Sequence, residues 1–191
     1  MTFYKNFLSS SQSKLIEQAI NENLEYIKEL AFQSKEESTY DSRWKDHISS
    51  RSLKALLDDP IPHHKGARKI SIKENGDYPC LHLNKVLNNI FSKYKLEQSG
   101  CFYYPKGGFM GWHTNHNTQQ ARLYITYVEE DKKSFFRYYE NESIITDYDN
   151  KGITIRRFSV GGGPPFFWHC VGSETDRYSF GYRLHPKKQT S

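Results

Sequence analysis

His113, Asn115 and His169 are the residues whose types and spacing point most directly to chemistry. In the segment GWHTNH, His113 and Asn115 stand two positions apart, so on an extended strand both side chains leave the same face and converge on one point. His169 follows 56 positions later (169 − 113) inside FFWHCV, whose aromatic and β-branched content reads as a buried strand. Two imidazoles and a carboxylate in such an arrangement hold Fe(II) on one side and leave its other positions open to reactants. The carboxylate position here carries an amide, a neutral oxygen donor that a hard cation favours less. Taken alone, the two histidines read better as a surface residue at a strand end and a satisfied core residue.

The segment RYSFGYRL shifts that balance. Strand alternation sends Arg177, Ser179, Gly181 and Arg183 to one face and Tyr178, Phe180 and Tyr182 to the other. Two arginines facing inward from one strand are costly unless each meets an anion. A dicarboxylate is the natural partner, because the guanidinium fork binds a carboxylate through two parallel hydrogen bonds.

In type, order and spacing these residues resemble the Fe(II)- and 2-oxoglutarate-dependent oxygenases, whose pattern is His-x-Asp or His-x-Glu, a distal histidine well downstream, and then Arg-x-Ser or Arg-x-Asn. The resemblance covers residues 100–184 and implies that His113, Asn115 and His169 form the catalytic iron centre. It implies too that Arg177 and Ser179 hold the far carboxylate of 2-oxoglutarate, joined by Arg183 and by Tyr103 or Tyr104 from CFYYPKGG. The spacing of Arg177 and Arg183 resembles that of the AlkB-type nucleic-acid demethylases. The implied reaction is hydroxylation or demethylation, with 2-oxoglutarate and O₂ consumed and succinate and CO₂ formed. Asn115 leaves alternatives open: it ligates the iron, a halide takes its place as in related halogenases, His116 completes the set, or the site no longer turns over. The last is a jelly-roll, cupin-like module that binds a carboxylate without redox chemistry.

Positioning such residues requires strands. After residue 99 the texture becomes short β-type runs separated by turn residues: CFYY, GFMGWH, RLYITYV, SFFRYY, ITIRRFSV, PFFWHCV and RYSFGYRL. Before it, apolar residues at three- and four-residue steps predict one amphipathic helix over 11–31, a second within 43–57 and a third within 81–96. The reading is a single α+β domain over 1–191, with a mainly helical part (1–98) and a jelly-roll, double-stranded β-helix core (99–186). The N-terminal helices are expected to pack on one sheet and to supply substrate recognition.

Aromatic residues make up 15% of the chain, with 14 Tyr and 12 Phe, a balance that suits a ring-packed β core over a Leu-packed bundle. Three widely spaced cysteines, Cys80, Cys101 and Cys170, argue against a disulfide framework and fit a reducing compartment. No apolar stretch approaches a membrane span and no secretory leader opens the chain, so an intracellular, cytoplasmic, soluble protein without a membrane partner is expected. The net charge of +5, the basic stretch HHKGARKISIK (63–73) and the arginine pair lean toward a nucleotide or nucleic acid as substrate, with a protein side chain or small metabolite left open.

Overall fold

A computed structural model of the chain describes residues 3–5, 7–38, 43–58, 66–79, 81–115 and 119–187. Cys80, His116 and the first three residues of the basic stretch, 63–65, lie outside them. In chain order the elements are β1 (Phe3–Lys5), α1 (Ser10–Asn21), α2 (Leu24–Gln33), β2 (Glu36–Ser38), α3 (Trp44–His47), α4 (Ser50–Leu57), β3 (Ala67–Ser71) and α5 (His82–Ile90). They are followed by β4 (Tyr94–Tyr104), β5 (Phe109–His113), β6 (Gln120–Val128), β7 (Ser134–Glu140), β8 (Ser143–Tyr148), β9 (Gly152–Val160), β10 (His169–Ser173) and β11 (Arg177–Pro186).

Every strand pairing is antiparallel, in the order β1-β9-β6-β11-β4-β3-β5-β10-β7-β8, with β2 on β3. Within that order β4 to β11 divide into two quartets, β9-β6-β11-β4 and β5-β10-β7-β8. From β4 to β11 every connection except the β7–β8 hairpin crosses between the quartets, which is the double-stranded β-helix, or jelly roll. The core begins at Tyr94, not at residue 99, and β1, β2 and β3 come from the part expected to be mainly helical. β8 falls outside the β-type runs of the sequence because its side chains are half-buried or exposed, which leaves little hydrophobic contrast to read.

The helix expected over 11–31 is two. A capping box starts α1, with Ser9 Oγ accepting from the Gln12 amide at 3.2 Å and Gln12 Oε1 accepting from the Ser9 amide at 3.0 Å. The break falls at Asn23, whose Nδ2 donates to the Ala19 carbonyl at 2.8 Å and so competes with the helical ladder. The apolar stripe nevertheless continues through Ile16, Ile20, Ile27 and Leu30 onto the outward face of the first quartet, where Leu123, Ile125, Tyr178, Phe180 and Tyr182 project. Leu83 and Leu87 of α5 join them. As expected these helices cover one sheet; α3 and α4 also cover the other, placing Ile48, Leu53 and Leu56 against Phe109, Trp112 and Phe135. Trp112 Nε1 ties the layers by donating to the Ser49 carbonyl at 2.9 Å.

Between the sheets lies an aromatic interior of Tyr104, Phe136, Tyr138, Phe158 and Phe167. Cys101 and Cys170 are buried free thiols in different apolar clusters. No helix among the described residues is long and apolar enough to cross a membrane. Phe180 is fully buried between α-helical cover and sheet. Phe180→Ala is expected to cost about 3–5 kcal/mol, read as a lower urea midpoint with little change in slope.

Candidate functional site

His113 ends β5, His169 begins β10, and the two are register partners with ring centroids 4.0 Å apart. Each imidazole is oriented in the same way: His113 Nδ1 donates to the Gly111 carbonyl at 2.8 Å and His169 Nδ1 to the Phe167 carbonyl at 2.9 Å. A carbonyl only accepts, so in the neutral ring the proton sits on Nδ1 and Nε2 carries the lone pair a metal requires. Burial pushes His169 down to about 4; the Phe167 carbonyl opposes that shift and the Arg122 charge adds to it. The ring is therefore neutral at physiological pH. Phe136, Phe158 and Phe167 surround it at centroid distances of 5.4, 5.6 and 5.1 Å.

Asn115 joins the pair by a route that simple alternation does not describe. The strand ends at His113, and Asn115 turns into the left-handed region at φ 51°, which Asn tolerates better than most residues. Its Nδ2 donates to His169 Nε2 at 3.1 Å, and the side chain also hydrogen-bonds the Tyr124 hydroxyl. The three residues expected to share a centre thus meet. Among the described residues no three of His, Cys, Asp and Glu come together to hold a metal.

Beside them opens a cavity of about 140 Å³, walled by β4, β5, β6, β10 and β11 and reached by His113 and Asn115. Gly100 and Gly181 are register partners on its wall; a Cβ on Gly181 would lie 3.3 Å from the Tyr124 ring, so the space depends on the missing side chain. Ser179, Arg183 and Tyr104 line the cavity. Tyr103 does not: it is on the outward face, stacked on Tyr178 at 5.0 Å, and donates to Asp176 Oδ1 at 2.8 Å. No described lining residue comes from a helix, so the N-terminal helices do not supply the cavity wall.

Arg177 is placed differently from the simplest expectation. Its Nε pairs with Asp149 Oδ2 at 3.0 Å and its Nη2 donates to Thr126 Oγ1 at 2.9 Å, leaving buried Nη1 without a partner among the described residues. Arg156 Nη1 meets the other oxygen of Asp149 at 2.5 Å, and Arg156 Nε meets Asp147 at 2.6 Å. Ser134 Oγ also donates to Asp149. Burial alone would raise the Asp149 carboxyl, but Arg156, Arg177 and the Ser134 hydrogen bond hold it well below the usual carboxylate range.

The sequence reading missed Arg122. It is 7% exposed, it lines the cavity on β6, and no partner among the described residues receives its buried Nε. Alternation in RLYITYV could have found it, since Arg122, Tyr124 and Thr126 share the face opposite the apolar Leu123 and Ile125.

No protein-family model matches the chain, and no curated protein does. Among solved structures it is similar to a Pseudomonas putida prolyl-4-hydroxylase, at 11% identity and TM-score 0.48, over 97% of this chain and 92% of that one. It is also similar to a Trichoplax adhaerens prolyl hydroxylase in complex with a hypoxia inducible factor peptide, at 14% identity and TM-score 0.48, over 98% and 84%. A third is an oxidoreductase of the 2OG-Fe(II) oxygenase family from Burkholderia pseudomallei, at 14% identity and TM-score 0.42, over 95% and 92%. Values this low leave the chemistry to rest on the residues of the site itself.

Asp149 separates two fully buried arginines, so Asp149→Asn should destabilise the fold by about 3 kcal/mol or more at pH 7. The folded carboxyl titrates below its unfolded value of about 3.9, so its contribution is complete above that pH and fades as pH falls. Urea denaturation at pH 7 and pH 3 should therefore show the gap between wild type and variant narrowing in acid.

Proposed function

We propose that the chain is an Fe(II)- and 2-oxoglutarate-dependent oxygenase that hydroxylates or demethylates its substrate. The observation that carries this reading is the register-paired His113 and His169, each with Nδ1 tied to a carbonyl, with Asn115 against His169 Nε2 beside a cationic cavity. His113, His169 and the Asn115 amide would hold the iron, the amide as a neutral oxygen donor. When bound, the iron with 2-oxoglutarate and O₂ supplies the oxidising chemistry, which yields succinate and CO₂.

The chain's own part is binding, orientation and exclusion of water. Carbonyl hydrogen bonds keep both imidazoles in the metal-binding tautomer, and the aromatic interior around His169 keeps its surroundings dry. Ser179 and Tyr104 in the cavity wall, with the remaining Nη1 donor of Arg177, would take the far carboxylate of 2-oxoglutarate, and Arg183 adds positive charge. The substrate proposed from the +5 charge and the Arg177 and Arg183 spacing is a nucleotide or nucleic acid.

Anaerobic titration of Fe(II) and 2-oxoglutarate should give the weak visible charge-transfer band of the chelate, and aerobic incubation should give iron-dependent succinate. Absence of both would leave the second reading, a carboxylate-binding jelly roll without redox chemistry, which the neutral amide at position 115 favours. Asn115→Asp should raise metal affinity by about tenfold or more, because ligand charge tunes the affinity of oxygen-rich sites. An unchanged titration would remove Asn115 from the ligand set.

A further inference from the structure

The positive charge lining the cavity sits at one end, on Arg122 and Arg183. Ser179 pairs in register with Thr126 and Arg183 with Arg122, so the Ser179 end of the cavity and its two-arginine end stand four residues apart along β11, about 13 Å. A five-carbon dicarboxylate with its near end at the metal has one far carboxylate, and that group occupies one end only. If Ser179, Tyr104 and Arg177 take it, Arg122 is left over.

Arg122 is also less satisfied than Arg156, Arg177 or Arg183 among the described residues. Arg156 and Arg177 share Asp149, and Arg183 Nη1 reaches Glu97 Oε1 at 2.6 Å. Arg122 makes no hydrogen bond or ion pair among the described residues, and burial disfavours its charge, with Tyr124 and Glu97 opposing that effect and Arg183 adding to it. Both Arg122 and Arg183 keep a buried Nε that is unpartnered among the described residues, and Arg122 lies against the same cavity as His113 and Asn115. An isolated buried guanidinium is costly, and an oxyanion accepting from its Nε and Nη edge would offset that cost. The neutral Asn115 strengthens the case, since a metal there keeps one more unit of positive charge than a carboxylate would leave it.

We propose that Arg122, assisted by Arg183, forms an anion subsite that receives a carboxylate or phosphate group of the substrate, apart from the co-substrate anchor. Its assignment to the substrate rests on the oxygenase reading above; the anion subsite itself does not.

The Nε–H signals of arginine in nitrogen-edited NMR test both. The Arg122 signal is assigned by its loss in Arg122→Lys. Metal-free protein is titrated with acetate and, separately, with inorganic phosphate; then both titrations are repeated with Zn(II) and 2-oxoglutarate at saturation. The expected result is a shift of the Arg122 signal with at least one probe in both conditions, and the stronger probe identifies the anion. Arg122→Gln should weaken that probe about tenfold or more, followed on the backbone signals of Tyr124 and Gly181, with Arg122→Lys intermediate. No response of metal-free wild type, or an affinity unchanged in Arg122→Gln, overturns the subsite. A response abolished by 2-oxoglutarate, with 2-oxoglutarate itself moving the Arg122 signal, makes Arg122 the co-substrate anchor and overturns the assignment to substrate. A subsite that persists without any iron-dependent succinate separates failure of the oxygenase reading from failure of this one.

Discussion

The structure turns on how guanidinium groups are neutralised inside a jelly roll. Arg122, Arg156 and Arg177 are 7%, 0% and 1% exposed, and a charge so placed must meet an anion or remain as a standing cost. Asp149 meets this demand for two of them at once, with one oxygen toward each. That internal carboxylate joins β9 to β11 at one end of the roll and makes Arg156 a structural residue. Where no internal carboxylate arrives, at Arg122, the same demand becomes a capacity to bind.

The two histidines show the complementary device. Burial keeps the His169 imidazole neutral, and in both rings one backbone carbonyl, two residues upstream, fixes which nitrogen carries the lone pair in the neutral form. Placed on register partners, the two rings need no loop to bring them together. Asn115 adds a third polar group at the same point while withholding charge, so the trio carries one negative charge fewer than two histidines with a carboxylate would.

Helices pack against the outer faces of both sheets, and strands with the segment after β5 wall the cavity. Most side chains that line the cavity are therefore carried on strands held by ladder hydrogen bonds, which position groups more tightly than loops do. The room itself comes from paired glycines, Gly100 and Gly181, where any larger residue would press on Tyr124 or Phe102.

Most strands, the facing of Arg177, Ser179 and Arg183, and the candidate trio His113, Asn115 and His169 were legible in the sequence, because period-two alternation and residue chemistry are local properties. So was the amide in place of a carboxylate. The tertiary structure alone decided which arginine is spent on the fold: Asp149 lies 28 residues before Arg177, and nothing in local periodicity pairs them. It likewise chose Tyr104 over Tyr103, since adjacent strand residues face opposite ways and only the packed sheet tells inside from outside. Long-range charge pairing and the sidedness of a sheet are settled when the chain closes on itself, and Arg122 became visible as a functional candidate only then.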